Sequence, residues 1–234
     1  MRIFVLGNGP SLIKTPLHLL EGELSWGVNQ VHLIYPYTTW RPTHITFAEM
    51  TAGGSDWFPK IWDAVKANPQ AKKFARDDAW WWTKEMGGGY WTLPNEQGQY
   101  CPYDITRYNA CTHHDIIDPN GHVRYDKVPA KWHLPQICKF GGSVPITIQL
   151  AVQEGATEIF LLGCDLGHKA GTGNHFDSQY AGHRPINDDK ARLRNLANKM
   201  GHEFSKANSP VPIYNATLGG SLEVYERVDF RSLF

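Results

Sequence analysis

Short apolar runs alternate with amphipathic segments over the first 76 residues. The first run, Ile3 to Leu6, shows no polar alternation, which is typical of a strand buried on both faces. Further strands are predicted at "SWGVNQ", "THITFAE" and "AKKFARD", and helices at "TPLHLLEGE" and "WFPKIWDAVKAN". Strands and helices in alternation indicate a mostly parallel sheet with helices on both faces. The predicted fold class is therefore α/β and Rossmann-like.

The pattern is lost between about residues 79 and 139. This stretch is rich in Trp, Tyr, Gly and Pro and is too long for an ordinary loop, so it predicts an inserted aromatic-rich lid in a single domain spanning 1–234. Two interpretations of Trp80, Trp81, Trp82 and Trp91 stay open. They form a stacking surface for a sugar or base, or they pack the insertion onto the main body.

Regular patterning returns near Lys139. "FGGSVPITIQLAVQEGA" predicts a glycine turn and a helix with Pro145 in its first turn, and "TEIFLLGCDLG" predicts an apolar strand. "NDDKARLRNLANKMG" predicts an amphipathic helix that Asn187 caps and Gly201 ends. A short strand, a glycine turn and a closing segment complete the chain.

Charge and composition narrow the function classes. Lys+Arg and Asp+Glu both count 23, so no basic field points to nucleic acid. No apolar stretch is long enough to span a bilayer, and the chain opens directly on a strand without a signal-peptide pattern, which predicts a cytoplasmic protein. The 4 cysteines form no CxxC pair and are interpreted as reduced structural residues; Cys101 and Cys111 with His113 and His114 are a weaker metal alternative.

The first strand ends in "GNGPSL". Gly7 and Gly9 permit close approach by a ligand, Asn8 offers donors and an acceptor, and Ser11 is placed to cap the next helix. This turn is predicted to bind a nucleotide or phosphate, with a plain tight turn as the alternative. It is neither a GxGxxG fingerprint nor a Walker loop.

Other polar positions follow later strands or precede a helix. Gly142 and Ser143 open the helix after the insertion, Asn29 ends the second strand, and Asp165 follows the strand "EIFLLGC". Because ligands bind at the carboxyl ends of parallel strands, all four are predicted to contact the nucleotide.

Residues 165–188 form a histidine-rich loop. A histidine there can serve as a general base, and Lys169, Arg184 or a charged histidine can neutralise a departing phosphate. Two alternatives stay open: a metal site formed by His168, His175 and Asp177, and a purely structural loop.

The motifs resemble those of bacterial sialyltransferases that use CMP-activated sialic acid, and of the wider MptE-like group, which includes a 6-hydroxymethylpterin diphosphokinase and flagellin-glycosylation proteins. The matching stretches are "GNGPSL", "VNQ" at 28–30, "EIFLLGCD" at 158–165, "QYAGH" at 179–183 and "NDDKARL". The resemblance implies that His183 is the catalytic base and that the reaction needs no metal. It covers about the first 50 residues and residues 139 to 225.

Two departures from the family pattern stand out. His168 and His175 occupy the region of the two family tyrosines that hold the leaving phosphate, and Ala48-Glu49 replaces an asparagine after the third strand. The expected roles are therefore His168 and His175 as phosphate ligands, and Tyr180, Arg184 and Glu49 as substrate-binding residues.

The predicted function is glycosyl transfer from a nucleotide-activated, CMP-linked sugar to a small-molecule or glycan acceptor, with no cofactor. Two alternatives remain. One is Mg²⁺-dependent diphosphate transfer from ATP to a pterin-like hydroxymethyl compound, with Asp165, Asp177 or Glu49 as metal ligands. The other is a non-catalytic nucleotide- or sugar-binding module. The aromatic insertion also suggests a homo-oligomer.

Overall fold

A parallel sheet forms the centre of the protein in a computed structural model, which describes residues 1–48, 57–76, 104–111, 131–180 and 186–234. In these ranges the strands are β1 (Arg2–Leu6), β2 (Ser25–Val28), β3 (His44–Phe47), β4 (Lys72–Arg76), β5 (Ile105–Tyr108), β6 (Glu158–Leu162), β7 (Ile213–Asn215) and β8 (Glu226–Arg227). The helices are α1 (Trp57–Ala67), α2 (Ser143–Gln153) and α3 (Asp188–Asn208). The α/β prediction is confirmed.

The strand order is β5-β4-β3-β2-β1-β6-β7-β8, and every pair of neighbours is parallel. The chain runs outward from β1 in one direction and then returns to β6 on the other side of β1. The sheet therefore has its topological switch point between β1 and β6, where doubly wound α/β proteins bind their ligands.

The sheet separates two apolar layers. Phe4 and Leu6 pack with Ile61 and Val65 of α1 on one face. Ile3 and Val5 pack with α2 on the other face. Successive side chains of a strand point to opposite faces, so a continuous apolar run is what a strand between two helical layers requires.

The segment predicted as an insertion contains one strand of the sheet. Within 79–139, β5 pairs with β4 in parallel and extends the edge. The Gln149 side chain holds residues 137–139 onto α2 by accepting from Cys138 N and donating to Cys138 O, both at 2.8 Å. The four tryptophans of the predicted lid and Cys101 lie outside the described residues.

Three expectations for local structure are wrong. The segments after β1 are 3-10 turns, Pro10–Lys14 and Leu17–Leu20, rather than a regular helix. Ser11 does not cap: Gly9 precedes the first turn and no side chain closes it. Asn187 does cap α3, but Gly201 does not end it, because the helix continues to Asn208.

Gly201 lies in the interior of α3 for a packing reason. A Cβ at Gly201 would lie 2.6 Å from Gly141 Cα and 2.9 Å from Phe140 O. The backbone of α3 therefore touches the glycine turn before α2. Cys111, Cys138 and Cys164 are buried, and no disulfide links them within the described residues. No helix among the described ranges combines the length and apolarity needed to cross a bilayer.

Replacing Gly201 with alanine tests this contact. In an ordinary helix interior the change stabilises by about 0.5–1 kcal/mol, but here the added methyl group meets backbone atoms that cannot rotate away. We expect Gly201→Ala to lower the free energy of unfolding by about 1–3 kcal/mol in urea titration. Lys199→Ala, at an exposed position of the same helix, is the control and should stay near wild type; a stabilised Gly201→Ala would contradict the contact.

Candidate functional site

A crevice of about 700 Å³ opens at the carboxyl ends of β1 and β6. Its walls include the turns that follow these strands, the end of β2, the first turn of α2, and one face of α3. The predicted residues that line it are Gly7, Asn8, Gly9, Asn29, Gly142, Ser143, Asp165, His168, His175 and Tyr180. The structure therefore brings together most of the positions that the sequence singled out.

The turns after β1 and β6 are in backbone contact. Gly7 N donates to Leu162 O at 2.8 Å and Gly9 N to Gly163 O at 2.9 Å. A Cβ at Gly9 would lie 2.0 Å from Asp165 Oδ2. The glycines of the first turn thus serve the approach of the two strands, and their N–H groups are already engaged by the protein.

Asp165 and Ser11 bind each other. Ser11 Oγ donates to Asp165 Oδ2 at 2.8 Å, and Ser11 N donates to the same carboxylate at 3.2 and 3.3 Å. Burial raises the pKa of Asp165, while these hydrogen bonds act to lower it. This pair therefore bridges the turns after β1 and β6. The part of Ser11 and Asp165 in nucleotide binding stays a prediction.

Asn8 joins three elements at the crevice wall. Its side-chain Nδ2 donates to Val28 O at 2.9 Å and to Tyr180 Oη at 3.1 Å. Its backbone carbonyl oxygen accepts from Phe176 N at 3.0 Å. Asn8 Oδ1 is buried and accepts no hydrogen bond from the described residues. A buried acceptor of this kind is typical of a site that an ordered water or a ligand completes.

Asn29 connects the end of β2 to the start of α2. Its φ of 47° lies in the left-handed region, which asparagine tolerates better than most residues. Asn29 Nδ2 donates to Ser143 Oγ at 3.0 Å, and Asn29 Oδ1 accepts from Ala48 N at 3.2 Å. The side-chain amide of Asn29 therefore fixes the Ser143 hydroxyl at the start of α2.

The N-terminus of α2 faces the crevice. Gly141 and Gly142 have φ of 82° and 116°, so the turn requires glycine at both positions. Gly142 provides no side-chain cap, and Ser143 and Val144 line the crevice. Uncapped N–H groups at the start of a helix of this length attract anions.

His168 is held by one side chain of α3. Asn195 Oδ1 accepts from Gly167 N, His168 N and His168 Nδ1, at 3.1, 2.6 and 3.2 Å, and Asn195 Nδ2 donates to His168 O at 2.9 Å. The backbone contacts fix the orientation of the amide, so Nδ1 carries the ring proton and Nε2 the lone pair. Burial lowers the pKa of His168, the Asn195 hydrogen bond raises it, and Arg194 lowers it.

His175 stacks on Tyr180. The ring centroids are 4.0 Å apart and the planes differ by 11°. Since Tyr180 Oη also accepts from Asn8, the histidine loop packs directly against the turn after β1.

One face of α3 supplies residues that the sequence analysis missed. Arg194, Asn198 and His202 line the crevice at four-residue intervals. This spacing places them on one side of a helix, and three polar residues on an inward face are the signal that was available in the sequence.

His202 is the most buried of the three, at 6% exposure. Tyr225 Oη donates to His202 O at 3.0 Å, so its oxygen accepts from His202 Nδ1, at 3.1 Å. The remaining ring nitrogen, Nε2, therefore carries a lone pair, and it makes no hydrogen bond to the described residues. Burial lowers the pKa of His202 to about 4.

The predicted residues His183, Arg184 and Glu49 lie outside the described residues. Asp177 Oδ1 accepts from Gln179 N at 2.7 Å. Within the described ranges no group of three His, Cys, Asp or Glu side chains is arranged to hold a metal ion, and this includes His168, His175 and Asp177.

No protein-family model matches the chain, and no curated protein matches it. The chain is similar in structure to a MAf glycosyltransferase from Magnetospirillum magneticum AMB-1, with a TM-score of 0.59 at 14% sequence identity. The match covers 100% of this chain and 34% of the other, so this chain spans about a third of its length. The similarity shows a shared fold; the sialyltransferase resemblance stays a prediction.

The buried His202 makes stability depend on pH. Its pKa is about 4 in the folded protein against 6.5 in the unfolded chain, so the unfolded chain binds more protons between these values. The free energy of unfolding therefore has its full value, as far as His202 is concerned, above pH 6.5. It falls as the pH is lowered towards 4, by on the order of 3 kcal/mol in all.

His202→Asn keeps a donor near the Nδ1 position and removes the titrating ring. Urea unfolding of both proteins at pH 4.5 to 7.5 should show a shallower pH dependence in the variant. All other groups are shared, so the difference isolates His202. Parallel curves would contradict the assignment.

Proposed function

We propose that the protein is a glycosyltransferase-like enzyme that uses a nucleotide-activated, CMP-linked sugar. The observation that carries the proposal is the crevice at the β1–β6 switch point, into which the open N-terminus of α2 and polar side chains from several elements converge. The structural similarity to a protein described as a glycosyltransferase supports the same class.

In this proposal the nucleotide lies between the two turns of the crevice. Asn8, Asn29, Ser143 and the backbone N–H groups at the start of α2 contact its ribose and base, and its phosphate lies towards His168 and His175. The fixed Asn29–Ser143 pair reduces the side-chain entropy that binding would otherwise cost.

The transfer step needs one base and one set of phosphate ligands. His183 removes the proton from the acceptor hydroxyl, the hydroxyl oxygen forms a bond to the anomeric carbon, and the bond from that carbon to the phosphate oxygen breaks. The nucleotide then leaves with the electron pair on its phosphate. The assignment of His183 rests on the "QYAGH" resemblance.

His168 and His175 are proposed to receive that negative charge, in place of a metal ion. The neutral His168 carries its proton on Nδ1 and presents a lone pair at Nε2. A nearby phosphate raises the pKa of a histidine, so that Nε2 takes up a proton and donates to the leaving group. Lys169 and Arg194 add positive charge at the same end of the crevice.

A nucleotide panel tests this function. CMP, CDP, UDP, GDP and ATP are screened for a rise in melting temperature, with and without Mg²⁺, and CMP-sugar hydrolysis is followed in EDTA. We expect CMP to stabilise the protein without metal and Asn8→Ala to weaken its binding by about 1–3 kcal/mol in calorimetry, because a polar contact is lost.

Each outcome of the panel assigns the crevice. Mg²⁺-dependent release of AMP from ATP would replace this proposal with diphosphate transfer. Stabilisation by CMP without turnover of any CMP-sugar would indicate a binding module. If no nucleotide raises the melting temperature, the proposal is overturned.

The proposed base is tested by His183→Ala. We expect turnover to fall by roughly 10²-fold or more while the affinity for CMP stays near wild type, because general-base catalysis acts in the transition state. His18→Ala, at an exposed histidine, is the matched control. Normal turnover in His183→Ala would remove this residue from the mechanism.

A further inference from the structure

Among the described residues, positive charge along the α3 face of the crevice is concentrated near Arg194 and is absent near His202. At the mouth, Arg194 lies close enough to His168 to lower the pKa of that histidine, and Lys169 is exposed on the adjoining loop. Two turns further along the helix, roughly 12 Å away, is His202. Burial is the cause of the lowered pKa there, and no charged side chain contributes to it.

The His202 end also differs in its surroundings. Val144 and Pro145 of α2 line the crevice alongside Asn198 and His202, and the ring of Tyr225 lies behind His202. Apart from the N–H groups at the start of α2, the described part of this end carries no charged group and is partly apolar, which suits a flat ring. The positive charge that a phosphate needs lies at the other end, on Arg194 and Lys169.

The hydrogen bonds of Tyr225 decide what His202 can offer to such a ring. A hydroxyl has one proton, and Tyr225 gives it to the carbonyl oxygen of His202. Nδ1–H must then donate to the tyrosine oxygen, which leaves Nε2 as an acceptor on the ring edge opposite Tyr225. Because the His202–Tyr225 pair is buried, Nε2 stays an unprotonated acceptor near neutral pH.

We propose that His202 is a specificity-determining residue that accepts a hydrogen bond from an exocyclic amino group of the nucleobase, so that the crevice selects cytosine over uracil. This inference rests on the proposed nucleotide-binding function. Cytosine presents an N4 amino group where uracil presents a carbonyl oxygen, and a carbonyl facing Nε2 would leave two acceptors opposed. Asn198, which makes no hydrogen bond to the described residues through its side chain, is placed to contact the same ring.

Calorimetry with CMP and UMP tests the proposal, because the two ligands differ only at the C4 substituent and at the adjacent N3, which carries a proton in uracil alone. We expect wild type to bind CMP at least about 10-fold more tightly than UMP. His202→Asn retains a donor towards Tyr225 but is too short to place an acceptor where Nε2 was. The variant should lose the preference mainly through weaker CMP binding, while the control His18→Asn keeps it.

A second measurement keeps the test valid if His202→Asn folds poorly. In ¹⁵N-labelled wild type, the His202 ring should show a protonated Nδ1 and an unprotonated Nε2, and CMP should shift the Nε2 resonance more than UMP does. Equal affinities for CMP and UMP, or an Nε2 resonance that CMP leaves unchanged, would overturn the role of His202 while nucleotide binding itself stands. Failure of every nucleotide to bind would instead remove the underlying function.

Discussion

The close contact between the turns after β1 and β6 is the constraint on which the rest of the site depends. Two strands that are distant in the sequence are neighbours in the sheet, and their turns are linked by Gly7–Leu162 and Gly9–Gly163 backbone hydrogen bonds. The Ser11–Asp165 pair closes the same junction from the side. A side chain at Gly9 would displace Asp165, so glycine here serves the approach of protein to protein as much as any approach of a ligand.

A second contact between backbones sets the opposite wall. Gly201 lets α3 lie directly against Gly141, and this brings the turn before α2 within reach of the polar face of α3. The same helix holds the Gly167–His168 turn through Asn195. One helix therefore positions both the start of α2 and the histidine loop, and the crevice lies between the features it fixes. Rigid support of this kind is what allows loop residues to present a defined geometry.

Hydrogen bonding also defines the state of the histidines. Asn195 and Tyr225 each orient a ring through Nδ1, and both leave Nε2 with a lone pair. The two rings differ in their surroundings: His168 lies near Arg194 at the charged mouth, whereas His202 is buried without a charged neighbour. One ring can gain a proton when an anion approaches, and the other stays neutral. In the proposed function, the first ring serves the phosphate and the second serves hydrogen-bond recognition of the base.

The sequence by itself determined the local features, because these depend on short-range patterns. Continuous apolar runs specified strands buried on both faces, and Asn187 specified the start of α3. The glycine turns after β1 and before α2 were also identified, and they do line one crevice. Only the tertiary structure decided which distant segments meet. Gly201 looked like a helix stop because its partner, Gly141, lies 60 residues away in the chain, and β5 lacked a clear pattern because an edge strand has exposed positions that follow no apolar run. The roles of Asn195 and His202 depend on hydrogen bonds to residues 23 to 28 positions away, which periodicity does not encode.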